Sequence, residues 1–101
     1  MSYETEIEAL ESEWSPESGF FWRIRQGHFK SSDFERALKV VSELSIADET
    51  MPRRIVSLLW YIPLFMHWQV ERVRENKGDV LAYTKATVAM TNEIERLLGV
   101  P

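Results

Sequence analysis

Histidine, the side chain best suited to acid–base and metal chemistry near neutral pH, is scarce in this chain. There are two histidines, His28 and His67, among 101 residues. His67 and Glu71 are four apart, so on a helix they share a face and offer two metal ligands. A complete site needs three or four, and no Glu-x-x-His pair or HExxH motif supplies the rest. His67 therefore reads as a half-buried histidine, hydrogen-bonded or stacked beside Trp68. No G-x-S-x-G elbow occurs, and no serine can be assigned a His–Asp relay by spacing. A Walker loop and a G-x-G-x-x-G run are missing too. Cysteine is absent, which excludes a disulfide framework, thiolate zinc sites, Fe–S clusters and cysteine nucleophiles. The expectation is a protein that is not an enzyme and holds no metal or cofactor.

Recognition is the remaining kind of function, and charge is its first signal. The net charge is −4, whereas a generic nucleic-acid binder carries a basic excess. All six charged residues of positions 1–17 are glutamates, so this segment is −6 and the remainder +2. Such a segment attracts a basic partner and steers it in from a distance. Glu6, Glu8, Glu11, Glu13 and Glu17 are the candidate partner-binding residues, with Asp48 and Glu49 as a second patch. The alternative is a solvated helix face that only keeps the protein soluble. Arg23 and Arg25 beside Trp22 resemble a small base-stacking patch, and Arg53, Arg54, Arg72 and Arg74 add positive spots. These lie among acids and form no continuous stripe. They read instead as arginines that cover aromatic residues and pair with the N-terminal glutamates.

The elements that position these groups follow from apolar spacing. Tyr3, Ile7, Leu10 and Trp14 recur at four, three and four, predicting a helix over 3–14 with Ser2 as its cap. Residues 15–19 read as a turn. Residues 19–27 suit a strand by their aromatics, but Ser18 and Gly27 as start and stop, with Phe20, Phe21 and Ile24 on one side, favour a short helix. Ser32 and Glu35 fit a capping box for a helix reaching Leu44 on the stripe Phe34, Leu38, Val41, Leu44. A polar connection ends at Pro52, placed as the first helical residue. The next helix is predicted from Arg53 to Asn76, kinked by Pro63 and stopped at Gly78. It is apolar nearly all round, which places it in the middle of the domain. Asp79 caps a last helix over 80–98, closed by Gly99. The fold class is all-α: one domain over residues 1–101, a compact bundle of about five helices around the central one.

Trp22, Trp60, Tyr61, Phe65 and Trp68 are a heavy aromatic load. Most are expected in the core, with one or two left as exposed anchors, where Trp and Arg dominate binding energy. The acidic N-terminus lacks an apolar signal region. The most apolar stretch, Ile55–Met66, is too short to cross a bilayer. Neither a membrane nor nucleic acid is expected as a partner, and the expected location is the cytoplasm.

The run Ser18-Gly19-Phe20-Phe21-Trp22-Arg23-Ile24-Arg25-Gln26-Gly27-His28-Phe29, followed by a capped helix, resembles small immunity proteins of bacterial polymorphic-toxin systems. These include the immunity partners of contact-dependent growth-inhibition toxins. Size, acidity and lack of cysteine are similar as well. The resemblance covers mainly residues 18–45 and brings no catalytic or ligand residue with it. It implies a protein that binds one cognate toxin domain tightly and blocks its active site or substrate path. Where that toxin is a nuclease, an acidic helix can occupy its basic cleft as a phosphate mimic. Two other classes stand beside this one. The first is a scaffolding module that self-associates through an exposed apolar stripe, and the second is a small metal-dependent enzyme built on His28, His67 and Glu71.

Overall fold

The computed structural model describes residues 3–45 and 50–101. Among these there are six helices and no strand: α1 (Glu4–Ser12), α2 (Phe20–Arg25), α3 (Ser31–Ser42), α4 (Arg53–Trp68), α5 (Val70–Glu75) and α6 (Val80–Leu98). The all-α class is what the structure has. Ser2, Asp48 and Glu49 lie outside the described residues.

The predicted stripes are the ones that pack. Tyr3 just before α1, Leu10 of α1, Phe20, Phe21 and Ile24 of α2, and Val41 of α3 are buried. They meet Ile55, Leu59, Ile62 and Met66 of α4 and Tyr83, Met90 and Ile94 of α6 in one core. The α4–α6 pair forms its centre, with α3 on α6 and α1 laid across α3 and α4. Burying each large side chain contributes about 1.5–3 kcal/mol, which is what holds such short helices in place.

Helix ends are where sequence and structure part. α3 begins at Ser31, one residue before the predicted cap, and Lys30 at its N-cap makes no side-chain capping bond. The Ser32–Glu35 capping box does not form, because Ser32 already lies inside the first turn. Pro52 stands just outside α4 as its N-cap, its carbonyl accepting from Ile55 N at 3.0 Å. The helix runs through Pro63 and breaks at Gln69, which divides the predicted 53–76 helix into α4 and α5. The cause is Tyr83, whose hydroxyl donates to the Met66 carbonyl at 2.6 Å, while Gln69 N turns back to that same carbonyl at 3.1 Å. Burial pushes the Tyr83 hydroxyl well above the ordinary tyrosine range.

Both short helices end in the same turn. His28 N reaches Arg23 O and Gly27 N reaches Ile24 O after α2; Gly78 N reaches Val73 O and Lys77 N reaches Arg74 O after α5. These paired bonds require a left-handed residue just past the helix. Gly27 supplies it after α2 at φ 86°, but after α5 the residue there is Lys77 at φ 61°, not the expected Gly78. Left-handed backbone costs a side-chain-bearing residue about 1–2 kcal/mol. Lys77→Gly is therefore expected to raise the unfolding free energy by about 1 kcal/mol in urea denaturation. Gly27→Ala works the other way. A Cβ there meets the Arg72 carbonyl oxygen at 2.6 Å, besides the unfavourable φ, so a loss of about 2 kcal/mol or more is expected from the same measurement. α6 matches its prediction: Asp79 accepts from Ala82 N at 3.0 Å. Asp79→Ala should cost about 1 kcal/mol.

Candidate partner-binding face

The N-terminal glutamates do not form one acidic surface. Glu13 is only 4% exposed. Its carboxylate accepts from Phe20 N at 3.1 Å and its carbonyl from Phe21 N at 2.8 Å, so it satisfies the first amides of α2. The same carboxylate takes Arg36 through two nitrogens, Nε and Nη2, each at 2.9 Å. These bonds, before any other influence, hold Arg36 further in its charged form. Arg36 also reaches Asp33 at 3.3 Å and the Ser18 carbonyl at 3.0 Å. Arg23 completes the group, donating to Asp33 at 2.8 Å and to the Glu17 carbonyl at 2.7 Å. Asp33 is 5% exposed. Two buried carboxylates and two half-exposed guanidiniums thus tie the 13–19 turn to α2 and α3. Glu13 belongs to this internal network and not to a docking surface.

The other candidates scatter. Glu11 pairs with Arg54 of α4 at 2.6 Å. Glu6 lies against α3, in a shallow recess with Val40, Glu43 and Leu44, and one of its oxygens is shielded without a hydrogen-bond partner among the described residues. Glu8 points to solvent on the outer side of α1, and Glu17 is exposed in the turn at φ 71°. The predicted pairing of arginines with N-terminal glutamates is present in Arg36–Glu13 and Arg54–Glu11. The predicted covering of aromatics is present in Arg25, whose guanidinium sits 5.2 Å from the Phe65 ring centre and 6.0 Å from that of Trp14.

The one or two exposed anchors expected among the aromatics are Trp60 and Trp68, and what the sequence did not show is that they share the outer face of α4. This helix is not enclosed on all sides. Ile55, Leu59, Ile62 and Met66 are buried, whereas Trp60, Leu64 and Trp68 are 55%, 39% and 56% exposed. Spaced four apart, these three line one side of the helix over about two turns. Tyr61 joins them to the core: its ring lies 5.6 Å from Trp60, 6.0 Å from Trp68 and 6.2 Å from Trp14. The aromatic cluster runs from buried Phe21 through Trp14 and Phe65 to the surface. Beside it, Glu11, Trp14, Arg54, Ser57, Leu58 and Tyr61 line a cleft of about 320 Å³ between α1 and α4. The Trp14 indole N–H is shielded and has no acceptor among the described residues. Large aromatics at a surface, supported from behind by packed rings and bordered by a Glu–Arg pair, have the composition of a protein-binding hot spot. Leu81 and Val88 of α6 are exposed too, but isolated aliphatics are ordinary on protein surfaces.

A metal centre finds no such support. His67 and Glu71 are exposed, and Glu71 pairs with Arg74. His28 lies elsewhere, its Nδ1 2.9 Å from the Asn76 amide, which also donates to Gly27 O. No group of three or more His, Asp or Glu that could hold a metal occurs among the described residues, and no helix there is long and apolar enough to cross a membrane. Compared with protein-family models, curated proteins and solved structures, the chain matches none.

Proposed function

We propose that this chain is a non-catalytic protein-binding module that neutralises a cognate bacterial toxin domain, acting in the cytoplasm. The observation that carries the binding part is the pair Trp60 and Trp68, each more than half exposed on one side of α4 with Leu64 between them. Leaving this much aromatic surface in water is unfavourable unless a partner covers it. The toxin as partner rests on the resemblance of residues 18–29 to small immunity proteins. The acidic N-terminal segment plays a smaller part than its composition suggests, since Glu13 and Glu11 already have arginine partners. Glu8 and Glu17 remain available to steer a partner through long-range attraction.

The test is affinity capture with the full chain from a lysate of its source cells, at low and moderate salt. One stoichiometric partner is expected, toxic when expressed alone and harmless when co-expressed with this chain. Recovery of the chain only, or of numerous weak partners, would overturn the reading in favour of a self-associating or adaptor module.

A further inference from the structure

We infer that the α4 face takes an acidic, apolar-faced segment of its partner protein, an inference that rests on the protein-binding reading above. From Thr50 to Val70 the chain carries no Asp or Glu, so α4 presents Trp60, Leu64 and Trp68 without a single carboxylate of its own. The charges beside the stripe that lack an opposite partner among the described residues are positive. Arg53, seven residues before Trp60, lies on the same side and makes no ion pair among the described residues. Arg25 covers Phe65 next to the stripe and makes no ion pair among the described residues. Arg72 donates to the Arg25 carbonyl and likewise has no carboxylate partner among the described residues. The nearest acids are already engaged, Glu11 with Arg54 and Glu71 with Arg74.

An apolar stripe bordered by uncommitted guanidiniums complements large apolar residues flanked by carboxylates. A helix of about two turns laid along α4 spans it, with one apolar residue over each tryptophan. A second copy of this chain fits poorly, since a two-fold contact of this face would bring together two α4 helices that both carry guanidiniums and no carboxylate. Anionic lipid and nucleic acid fit poorly as well, because an extended polyanion would meet the net charge of −4 of the whole chain.

A random peptide library displayed on phage and panned against the full chain tests the inference. Enriched peptides are expected to carry two or more large apolar residues together with Asp or Glu. Their affinity should fall tenfold or more with Trp60→Ala and severalfold with Arg53→Glu. Phosphatidylserine vesicles are expected not to bind. Enriched peptides that are neutral or basic, yet still lose affinity with Trp60→Ala, would overturn the acidic partner while leaving the face as a protein-binding site. Vesicle binding that depends on Trp60 would overturn it in favour of a membrane. If no peptide is enriched, or if binding ignores Trp60, both this inference and the assignment of the face fail together.

Discussion

Arg36→Ala is expected to lower the unfolding free energy by about 3–5 kcal/mol, the largest loss from any charged residue in this chain. The guanidinium is half-exposed, but the carboxylates it serves are not: the Glu13 and Asp33 side chains are 6% and 7% exposed. Among the described residues, removing it leaves Glu13 with only the Phe20 amide as a donor and leaves Asp33 with Arg23 alone. An uncompensated buried carboxylate is far more costly than a lost surface ion pair, which is typically worth less than about 1 kcal/mol. Small domains have only about 5–15 kcal/mol in total, so the variant should be partly unfolded well below the wild-type urea midpoint. The reverse removal is milder. Glu13→Ala leaves Arg36 free to reach water and should cost about 3 kcal/mol, mostly through the stranded Phe20 amide and the lost charged bonds. Because the two residues share one interaction, the double variant should be less destabilised than the two single losses added together. Urea titrations of the three variants decide this. Losses below about 1 kcal/mol for Arg36→Ala would mean that the network is superficial.

Trp60→Ala and Trp68→Ala are expected to do the opposite, sparing the fold and abolishing recognition. Both side chains are more than half exposed. Each lies near Tyr61, and such aromatic pairs contribute about 0.5–1.5 kcal/mol, so stability should fall by about 1 kcal/mol at most. Affinity for the captured partner should fall by about 2–4 kcal/mol per substitution, the range of aromatic hot spots, or at least tenfold in Kd. Calorimetric titration of the purified complex reads the second quantity and thermal melts read the first. Glu8→Lys serves as contrast: an exposed acid outside the stripe should change the association rate and its salt dependence more than the dissociation rate.

The helical bundle was legible in the sequence because it rests on apolar periodicity and on a few strong local signals. Asp79, Gly27 and the stripe Tyr3–Ile7–Leu10–Trp14 each act through neighbours a few residues away, and each sits where expected. The α4–α5 break was not legible, since its cause is the Tyr83 hydroxyl, distant in sequence from the Met66 carbonyl it takes. Pro63, the local signal, pointed to a different place. The same blindness to distance affected the charges. Nothing near Glu13 distinguishes it from Glu8, and only Arg36 and the start of α2 draw it inward. Nor does anything near Asp33 in sequence mark it as buried, since its partners Arg23 and Arg36 meet it only in the fold. On α4 the apolar residues cover more than one side, and periodicity alone does not tell which side meets water. One signal was available: Trp60, Leu64 and Trp68 repeat every four residues in a stretch without acids.

The central claim is that the α4 face, and not the glutamate-rich helix or the outer side of α6, meets the partner. Hydroxyl-radical footprinting of the chain alone and in complex with its captured partner tests this most directly. Trp60, Leu64 and Trp68 should be oxidised in the free chain and protected in the complex, while Leu81 and Val88 of α6 stay equally reactive in both. Protection of Leu81 and Val88 with Trp60 and Trp68 unchanged would contradict the account.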